Sequence, residues 1–431
     1  MKTIKHIILI STVLIFINCS KDKEEPLPME NAPNTPTGLV AQNGNERVAL
    51  SWNANTESDL THYNIYQGNT EGELVKIGES PVGMTTFTAQ GLTNGATYYF
   101  AIDAENIDGH ISDQSSVIRG FPTALTVYVV GYESNGIKNV AKLWKNGAVQ
   151  NLTDGTKDAY ALNVFVADDD VYVAGYENIG SKSVAKLWKN GTVQNLSDGS
   201  NSAIASSVFV DGADVYVVGH EYIGSNNVAK LWKNGTEQNL TDGTENAQAK
   251  SIYVYGGDVY VAGYESNGTN IVAKLWKNGT AQNLTNGVNG AAAWSISLNS
   301  GDVYVAGTES NGTNLVAKLW KNGTAQNLTN GANDASASTV FVAGSDVYVV
   351  GDEYNGTKYG AKLWKNGIVQ NLTDGASDAG ARSVSVHTGN VFVVGYEFNG
   401  TKDIAKLWKN GMAQNLNNGA NDAHAQSIFI K

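Results

Sequence analysis

From residue 124 to the C-terminus, short runs of alternating apolar and polar residues follow one another, each bounded by Gly, Asn or Asp. One unit reads DVYVAGYESNG, VAKLWKNG, TAQNLTNG and ASASTVFVAGS. Successive side chains of a strand point to opposite faces, so an alternation with period two predicts β-strands. The Asn-Gly of WKNG predicts a type I′ hairpin turn, which needs positive φ at both central residues. Each unit is therefore predicted to contain four strands joined by tight turns.

This unit occurs seven times at a constant interval. KLWKNG places its Trp at 144, 188, 232, 276, 320, 364 and 408, which are 44 residues apart. A four-stranded repeat of about 40 to 45 residues is typical of a β-propeller blade. A single blade would expose two apolar faces, so we expect the seven copies to bury these faces against one another. The alternative is an open β-solenoid, although its rungs usually need only about 20 to 30 residues.

The two ends of the repeat region complement each other. The first unit starts at VYVVG (Val127 to Gly131) without an SVFV strand before it, and the last unit ends on SIFIK (Ser427 to Lys431). The C-terminal strand can therefore complete the first sheet. This closure resembles that of WD-repeat propellers, although the repeats contain no Trp-Asp dipeptide. The predicted fold class is all-β, with a seven-bladed β-propeller over residues 124–431 that is closed by the C-terminal strand.

A different β-rich segment, residues 35–123, precedes the repeats. RVALSW, THYNIYQG, TTFTAQGL and TYYFAIDAEN alternate at the spacing of a β-sandwich. The segment resembles a fibronectin type III domain, since Trp52 falls in the second strand and LTNGATYYFAIDA fits the tyrosine corner with Leu92 and Tyr98. The resemblance implies a sandwich with Trp52 and Tyr98 in its core. We expect this domain to be a spacer, with a binding module as the alternative.

The N-terminus reads MKTIKHIILISTVLIFINCSKDKEE, in which two lysines precede a short apolar run that ends at Cys19, the sole cysteine. Such a run is too short to span a bilayer and is typical of a signal peptide. FINCS resembles the lipobox of bacterial lipoproteins, which implies that Cys19 is lipidated; an ordinary secretory signal with an incidental Cys is the alternative. SKDKEE resembles the export signal of Bacteroidetes-type surface lipoproteins. We therefore predict a signal peptide over 1–19 and an extended tether over 20–34.

These resemblances predict an outer-membrane lipoprotein on the cell surface, with the periplasmic face as the alternative. The membrane is contacted through the lipid anchor only. The net charge of −12 argues against a nucleic-acid partner, which needs a basic surface to meet phosphates.

The sequence contains no HExxH, GxSxG, P-loop, paired-Cys metal site or Asp-box. We accordingly predict no catalytic residue, no cofactor and no metal, and we do not expect an enzyme.

Two repeated patterns have both a metal-binding and a structural interpretation. NLTDGTKDA would offer Asp154 and Asp158 to calcium, but the second copy has Asp198 and Ser202, which favours Asx turns. A glutamate recurs in every copy together with a lysine, so pairing within a blade is favoured over a cation-binding ring of carboxylates. The glutamates are Glu133, Glu177, Glu221, Glu265, Glu309, Glu353 and Glu397.

Differences among the copies gather at two places. One place lies just before the inner strand: Tyr160, Leu162; Ile204, Ser206; Gln248, Lys250; Ala292, Trp294; Ser336, Ser338; Gly380, Arg382; His424, Gln426. The other ends the next strand: Tyr132, Tyr176, His220, Tyr264, Thr308, Asp352, Tyr396. Because these strands are antiparallel, the start of one lies beside the end of the other. Both sets are therefore predicted on one face, around the channel mouth.

This face is predicted to bind a ligand through aromatic rings and hydrogen-bonding groups. The candidate residues are Tyr132, Tyr176, His220, Lys250, Tyr264, Trp294, Asp352, Arg382 and Tyr396. Flat rings beside polar groups suit a sugar or a peptide segment. The alternative is drift among recent duplicates, in which Trp294 merely fills volume left where Thr308 replaces Tyr.

The sequence thus favours a monomeric, non-catalytic, lipid-anchored cell-envelope protein whose propeller binds a glycan or protein ligand. The alternatives are an envelope assembly scaffold without a small ligand and a polysaccharide hydrolase or lyase.

Overall fold

The computed structural model describes residues 32–431. The predicted signal peptide with Cys19, and residues 20–31 of the predicted tether, lie outside the described residues. The chain divides into two compact units, one ending at Ala124 and the other spanning Leu125–Lys431. Both are built from β-strands, which confirms the all-β prediction. Within residues 32–431, no helix has the length and apolarity needed to cross a membrane.

The first unit consists of two antiparallel sheets. One has the order β1 (Val40–Gly44), β2 (Arg47–Ser51), β5 (Thr86–Gln90). The other has the order β4 (Val75–Pro81), β3 (Leu60–Gly68), β6 (Tyr98–Asn106), β7 (Ile118–Gly120). Apolar side chains of both sheets, among them Leu50, Ile65 and Phe100, share one buried core, as in a β-sandwich.

The predicted tyrosine corner is present in this unit. The Tyr98 hydroxyl oxygen accepts a hydrogen bond from the Thr93 N–H at 3.0 Å. Because that hydroxyl must reach the loop, the Tyr98 ring is only partly buried at the edge of the core, which corrects the predicted core position. Trp52 is buried as predicted, although it follows β2 instead of lying within it.

Residues Leu125–Lys431 form seven four-stranded antiparallel sheets, and each has an inner, a second, a third and an outer strand. The inner strands are β11 (Ala159–Ala167), β15 (Ala203–Asp211), β19 (Ala247–Tyr255), β23 (Ala291–Asn299), β27 (Ala335–Ala343), β31 (Ala379–His387) and β35 (Ala423–Ile430). The second strands are β8 (Val127–Ser134), β12 (Asp170–Ile179), β16 (Asp214–Ile223), β20 (Asp258–Ser266), β24 (Asp302–Ser310), β28 (Asp346–Tyr354) and β32 (Asn390–Phe398).

The two remaining strands of each sheet complete the pattern. The third strands are β9 (Asn139–Lys145), β13 (Lys182–Lys189), β17 (Asn226–Lys233), β21 (Ile271–Lys277), β25 (Leu315–Lys321), β29 (Tyr359–Lys365) and β33 (Asp403–Lys409). The outer strands are β10 (Ala148–Asn151), β14 (Thr192–Asn195), β18 (Thr236–Asn239), β22 (Thr280–Asn283), β26 (Thr324–Asn327), β30 (Ile368–Asn371) and β34 (Met412–Asn415).

The C-terminal strand completes the first sheet, whose order is β10-β9-β8-β35. Ile428 lies opposite Val129 in this pairing. Just past the ends of these two strands, Thr126 and Lys431 exchange two backbone hydrogen bonds of 2.8 and 3.0 Å. The predicted return of the chain end to the start of the repeats is therefore confirmed at the level of strand pairing.

Each sheet packs against two neighbours, because alternate residues of a strand face opposite sides. In the first sheet, Tyr128 and Val130 pack on the second sheet, whereas Val129 packs on the seventh. Trp188 of the second sheet faces the first, and Trp144 of the first sheet faces the seventh. The same contacts recur from sheet to sheet. The seven sheets therefore close into a ring around the inner strands.

The WKNG turns have the backbone predicted for them. In the first copy φ is 50° at Asn146 and 81° at Gly147, and the other six copies have the same signs. Both central residues are therefore left-handed, as a type I′ turn requires. These turns join each third strand to its outer strand in register.

Every inner strand carries a β-bulge where it pairs with the second strand. The extra residue of a bulge is unpaired, and the bulge bends the strand and turns that side chain in a new direction. The bulged residues are Leu162, Ser206, Lys250, Trp294, Ser338, Arg382 and Gln426. Each of them belongs to the variable set found in the sequence.

A glycine of the second strand makes room for each bulge. A Cβ on Gly263 would overlap the carbonyl oxygen of Gln248 and would lie 3.0 Å from the Trp276 ring. The same overlap with a backbone carbonyl occurs at the equivalent glycine of the other six sheets. The glycine in VYVxG is thus required by close packing of backbone on backbone.

Deleting residues 427–431 should destabilise the ring strongly, because Ile428 and Ile430 are buried and the strand joins the first sheet to the seventh. Truncating one buried aliphatic side chain costs about 2–5 kcal/mol, so the deletion should cost more than about 4 kcal/mol. Thermal unfolding and hydrodynamic radius measure the effect. Lys431→Ala, at an exposed residue, is the control and should change little. Unchanged melting and size in the deletion variant would contradict ring closure.

Gly263→Ala should lower the free energy of unfolding by about 1–3 kcal/mol or more, because the added methyl group forces the bulge apart. Gly290→Ala is the matched control, since its Cβ would make only an ordinary 3.8 Å contact with Ile271. We expect the control to stay within about 0.5 kcal/mol of the wild type in chemical denaturation. Equal effects of the two substitutions would refute the role given to the close approach.

Candidate functional site

The residues that vary among the copies lie directly opposite one another on inner and second strands. The pairs are Tyr160–Tyr176, Ile204–His220, Gln248–Tyr264, Ala292–Thr308, Ser336–Asp352, Gly380–Tyr396 and His424–Tyr132. The predicted juxtaposition of the two variable sets is therefore confirmed. Because every pair stands at the same end of its sheet, the pairs surround one end of the ring. We call these seven pairs and the seven bulged residues the mouth.

Five aromatic rings form a continuous arc along one side of the mouth. Tyr396 lies 4.2 Å from His424 between ring centroids, and His424 stacks on Tyr132 at 5.1 Å. Tyr132 meets Tyr160 edge to face at 4.8 Å, and Tyr160 stacks on Tyr176 at 4.8 Å. Such ring pairs contribute about 0.5–1.5 kcal/mol each beyond their buried area. The arc is therefore a continuous series of ring contacts that spans three sheets.

Arg382 extends this arc with a positive charge. Its guanidinium group lies 5.2 Å from the centre of the Tyr396 ring, and Nη1 is 3.2 Å from an Asp352 carboxylate oxygen. The Ser336 hydroxyl donates a hydrogen bond of 2.7 Å to the other Asp352 oxygen. The Asp352 carboxylate is thus held from two sides, and it fixes the orientation of Arg382.

Lys250, Tyr264 and Trp294 form a second cluster in the mouth. The Lys250 ammonium group lies 5.6 Å from the Tyr264 ring centre and 5.5 Å from that of Trp294. The two rings meet edge to face at 5.9 Å. Burial lowers the pKa of Lys250 to about 8. The ammonium group therefore remains largely charged at neutral pH, although it has lost part of its hydration.

A cleft of about 410 Å³ lies between these clusters. Trp294 and Thr308 line one side, and Arg382 and Gln426 line the other. The bulged residue Ser338 also borders it. An aromatic ring and a guanidinium group therefore face one open space, together with small hydroxyl and amide side chains.

Four tyrosines of the mouth are neutral hydroxyl groups at physiological pH. Burial raises the pKa of Tyr132 to about 12. It also raises the pKa values of Tyr176, Tyr264 and Tyr396 above the ordinary value. Each hydroxyl can consequently donate and accept hydrogen bonds.

His220 is the predicted site residue that the structure places least accessibly. Its side chain is buried, and Nδ1 has no hydrogen-bond partner among the described residues. Burial, together with the nearby charge of Lys250, lowers the pKa of His220 to about 3. The ring is therefore uncharged at physiological pH and lies below the surface of the mouth.

The nine predicted residues thus fall into two clusters, with His220 buried near Lys250 of the second cluster. Two residues that the predicted site did not include bridge the first cluster. His424 connects Tyr396 to Tyr132, and Tyr160 connects Tyr132 to Tyr176. His424 is further held by the Asp403 carboxylate, 2.9 Å from Nε2. In the strand register, Tyr160 lies opposite Tyr176 and His424 lies opposite Tyr132. This pairing with predicted site residues is the signal that could have identified both bridging residues.

The recurring glutamates pair with lysines of the third strand in their own sheets, as predicted. The distances lie between 2.8 and 3.3 Å in all seven copies. The Asx turns are also confirmed, since Asp154 accepts a hydrogen bond from the Thr156 N–H at 2.9 Å. Asn286 accepts one from the Val288 N–H at 3.0 Å in the same way. These repeated carboxylates and amides stabilise the sheets and their turns.

Residues 34–119 match the fibronectin type III domain family, which confirms the resemblance seen in the first unit. Amylopullulanase from Thermoanaerobacterium saccharolyticum is 34% identical over 131 residues, which are 30% of this chain and 9% of that protein. Chitinase Chi52 from Paenibacillus xylanexedens is 31% identical over 148 residues, which are 34% of this chain and 25% of that protein. The chain therefore spans only a small part of these relatives.

Among solved structures, TolB from Acinetobacter baumannii aligns with 78% of this chain and 83% of its own. The identity is 11% and the TM-score is 0.43. A likeness at this level bears on neither ligand nor activity.

Trp294 should account for most of the quencher-accessible tryptophan fluorescence. The other eight tryptophans of the described chain are at most 6% exposed, whereas Trp294 is partly exposed in the mouth. We expect Trp294→Phe to flatten the acrylamide quenching plot, and Trp276→Phe, at a buried repeat position, to leave its slope nearly unchanged. An unaltered slope in Trp294→Phe would show that this ring does not face solvent.

Proposed function

We propose that Leu125–Lys431 is a seven-bladed β-propeller whose mouth binds a glycan, within a non-catalytic cell-envelope protein anchored to the outer membrane through a lipidated Cys19. The cleft between Trp294 and Arg382 is the observation that carries this proposal. A sugar ring presents an apolar C–H face and a rim of hydroxyl groups. The Trp294 ring suits the apolar face, while Arg382, Ser338 and Gln426 suit the hydroxyl groups.

The distribution of differences among the copies supports a binding role for the mouth. The buried tryptophans, the Glu–Lys pairs and the bulge glycines are the same in all seven sheets. A ligand without sevenfold symmetry needs unlike groups around it, and the mouth has a different residue pair in each sheet. The asymmetric cleft is therefore where a single ligand would be recognised.

Pre-organisation also supports binding at this cleft. Arg382 is held by Asp352 and lies over Tyr396, so little side-chain entropy remains to be lost when a ligand binds. Asp352 and Asp403 are each engaged by a basic partner. Glycoside hydrolysis usually needs two carboxyl groups free to exchange protons across the scissile bond. These engaged carboxylates suit a binding site better than a hydrolytic one.

The relatives agree with a glycan ligand, because their names, amylopullulanase and chitinase, refer to polysaccharides. In this proposal the fibronectin type III domain is a spacer between the lipid anchor and the propeller.

Trp294→Ala and Arg382→Gln should each weaken glycan binding at least about tenfold, which corresponds to about 1.4 kcal/mol. Binding of the intact protein to a polysaccharide panel, followed by calorimetry on the ligands found, measures the effect. Val369→Thr, on an exposed outer strand, should bind like the wild type. Melting temperatures verify that each variant is folded.

Failure of the wild-type protein to bind any glycan in the panel would overturn the proposal. Wild-type affinity in both mouth variants would place the site elsewhere on the protein. Release of shortened products from the panel would replace the binding role by an enzymatic one.

A further inference from the structure

We infer that the mouth prefers acidic glycans, and that Lys250 binds the carboxylate of a uronic acid whose ring lies beside Trp294. This inference rests on the proposed glycan-binding function and names the class of glycan. It assigns to Lys250 the recognition of charge, whereas the cleft between Trp294 and Arg382 recognises the sugar ring.

Lys250 differs from the lysines that hold the sheets together. Lys274 and the lysine at the equivalent position of each of the other six sheets pair with a glutamate. Lys277 and its equivalents in four other sheets pair with an aspartate. By contrast, no Asp or Glu of residues 32–431 makes an ion pair with Lys250, whose pKa is shifted by burial without the influence of any carboxylate. Its ammonium group lies over the rings of Tyr264 and Trp294, and its charge acts on the neutral ring of His220.

The surroundings leave this ammonium group incompletely stabilised. A cation over an aromatic ring gains less stabilisation than full hydration provides. Tyr264 is neutral because burial raises its pKa, and His220 is neutral because its pKa is about 3. Neither neighbour supplies the negative charge that Lys250 lacks. An incoming carboxylate would supply it, in a site partly removed from water, where charge-assisted hydrogen bonds are strong.

The position of Lys250 favours a uronic acid over other anions. It is a bulged residue that contacts Trp294, and Trp294 lines the cleft. A uronic acid carries its carboxylate directly on the sugar ring, so a ring beside Trp294 brings that group towards Nζ. The net charge of −12 does not oppose such binding, because charges more than about 8 Å away are screened at physiological salt.

The test compares oligogalacturonate and alginate oligomers with their methyl esters, which keep the sugar backbone and remove the charge. With the full-length protein, calorimetry should give at least one acid that binds about tenfold or more tightly than its ester at pH 7. Lys250→Met should abolish this preference while retaining binding of the ester, and Lys250→Arg should keep it. Lys277→Met is the matched control, because Lys277 also lies over a tyrosine ring, at 5.1 Å, but pairs with Asp258. Asp258 begins β20, whereas Tyr264 lies near the opposite end of that strand.

The preference for acid should also fall as the pH rises from 7 to 9. Lys250 loses its charge above its pKa, whereas the carboxylate stays ionised and His220 and Tyr264 stay neutral. With a pKa of about 8, the charged fraction of Lys250 falls about tenfold between pH 7 and 9, so the affinity for acid should decrease by up to about tenfold over the whole range. It should stay nearly constant in Lys250→Arg, since arginine remains protonated.

Two outcomes would overturn the inference in distinguishable ways. Acids and esters that bind equally, or a preference that survives in Lys250→Met, would leave the glycan site standing and remove the role of Lys250. Absence of binding to acids, esters and neutral polysaccharides alike would remove the proposed function together with this inference.

Discussion

The close approach of a second-strand glycine to the backbone of the inner strand is the constraint on which the mouth depends. Gly263 and its equivalents leave space for the carbonyl group of the residue two positions before each bulge, as at Gln248. That space allows each inner strand to hold one residue more than its partner. The extra residue is Lys250 in one sheet, Trp294 in the next and Arg382 in another. One repeated backbone feature therefore presents seven side chains of six different kinds to the same opening.

The other residues that recur in every repeat hold the sheets of the ring together. The repeat tryptophans are almost completely buried between sheets, and the Glu–Lys pairs join second strands to third strands. Near the axis, small polar side chains tie neighbouring inner strands together, as where the Ser295 hydroxyl accepts a hydrogen bond from the Val340 N–H at 3.2 Å. Substitution of the residues that make these contacts would lower the stability of the ring. Variation is accordingly concentrated in the mouth, where the frame does not specify the side chain.

Much of the fold could be predicted from sequence because its determinants are local and repeated. Alternation identified the strands, Asn-Gly identified the type I′ turns, and the unmatched ends of the repeats identified the strand that pairs with β8. The Glu–Lys pairs were predictable because both partners recur at a fixed separation. The tyrosine corner of the first unit was recognisable from a short motif around Tyr98.

The arrangement of side chains within the mouth was less predictable. The bulge has a sequence signal, since the buried positions Ala159, Ala161, Val164 and Val166 shift phase by one residue, but an uninterrupted alternation does not predict it. His220 lies near the charge of Lys250, which belongs to the next sheet, and no single repeat encodes this proximity. Contact between Lys250 and Trp294 likewise joins two adjacent sheets. Such contacts follow from the packing of the ring and not from the pattern of one strand.

A crystal structure of the protein with a bound uronic-acid oligosaccharide tests the central claim most directly, namely that bulged residues of the mouth form the ligand site. We expect a sugar ring in the cleft between Trp294 and Arg382, with a carboxylate oxygen within hydrogen-bonding distance of Lys250 Nζ. An oligosaccharide bound on the outer strands, or at the opposite end of the ring, would contradict the account.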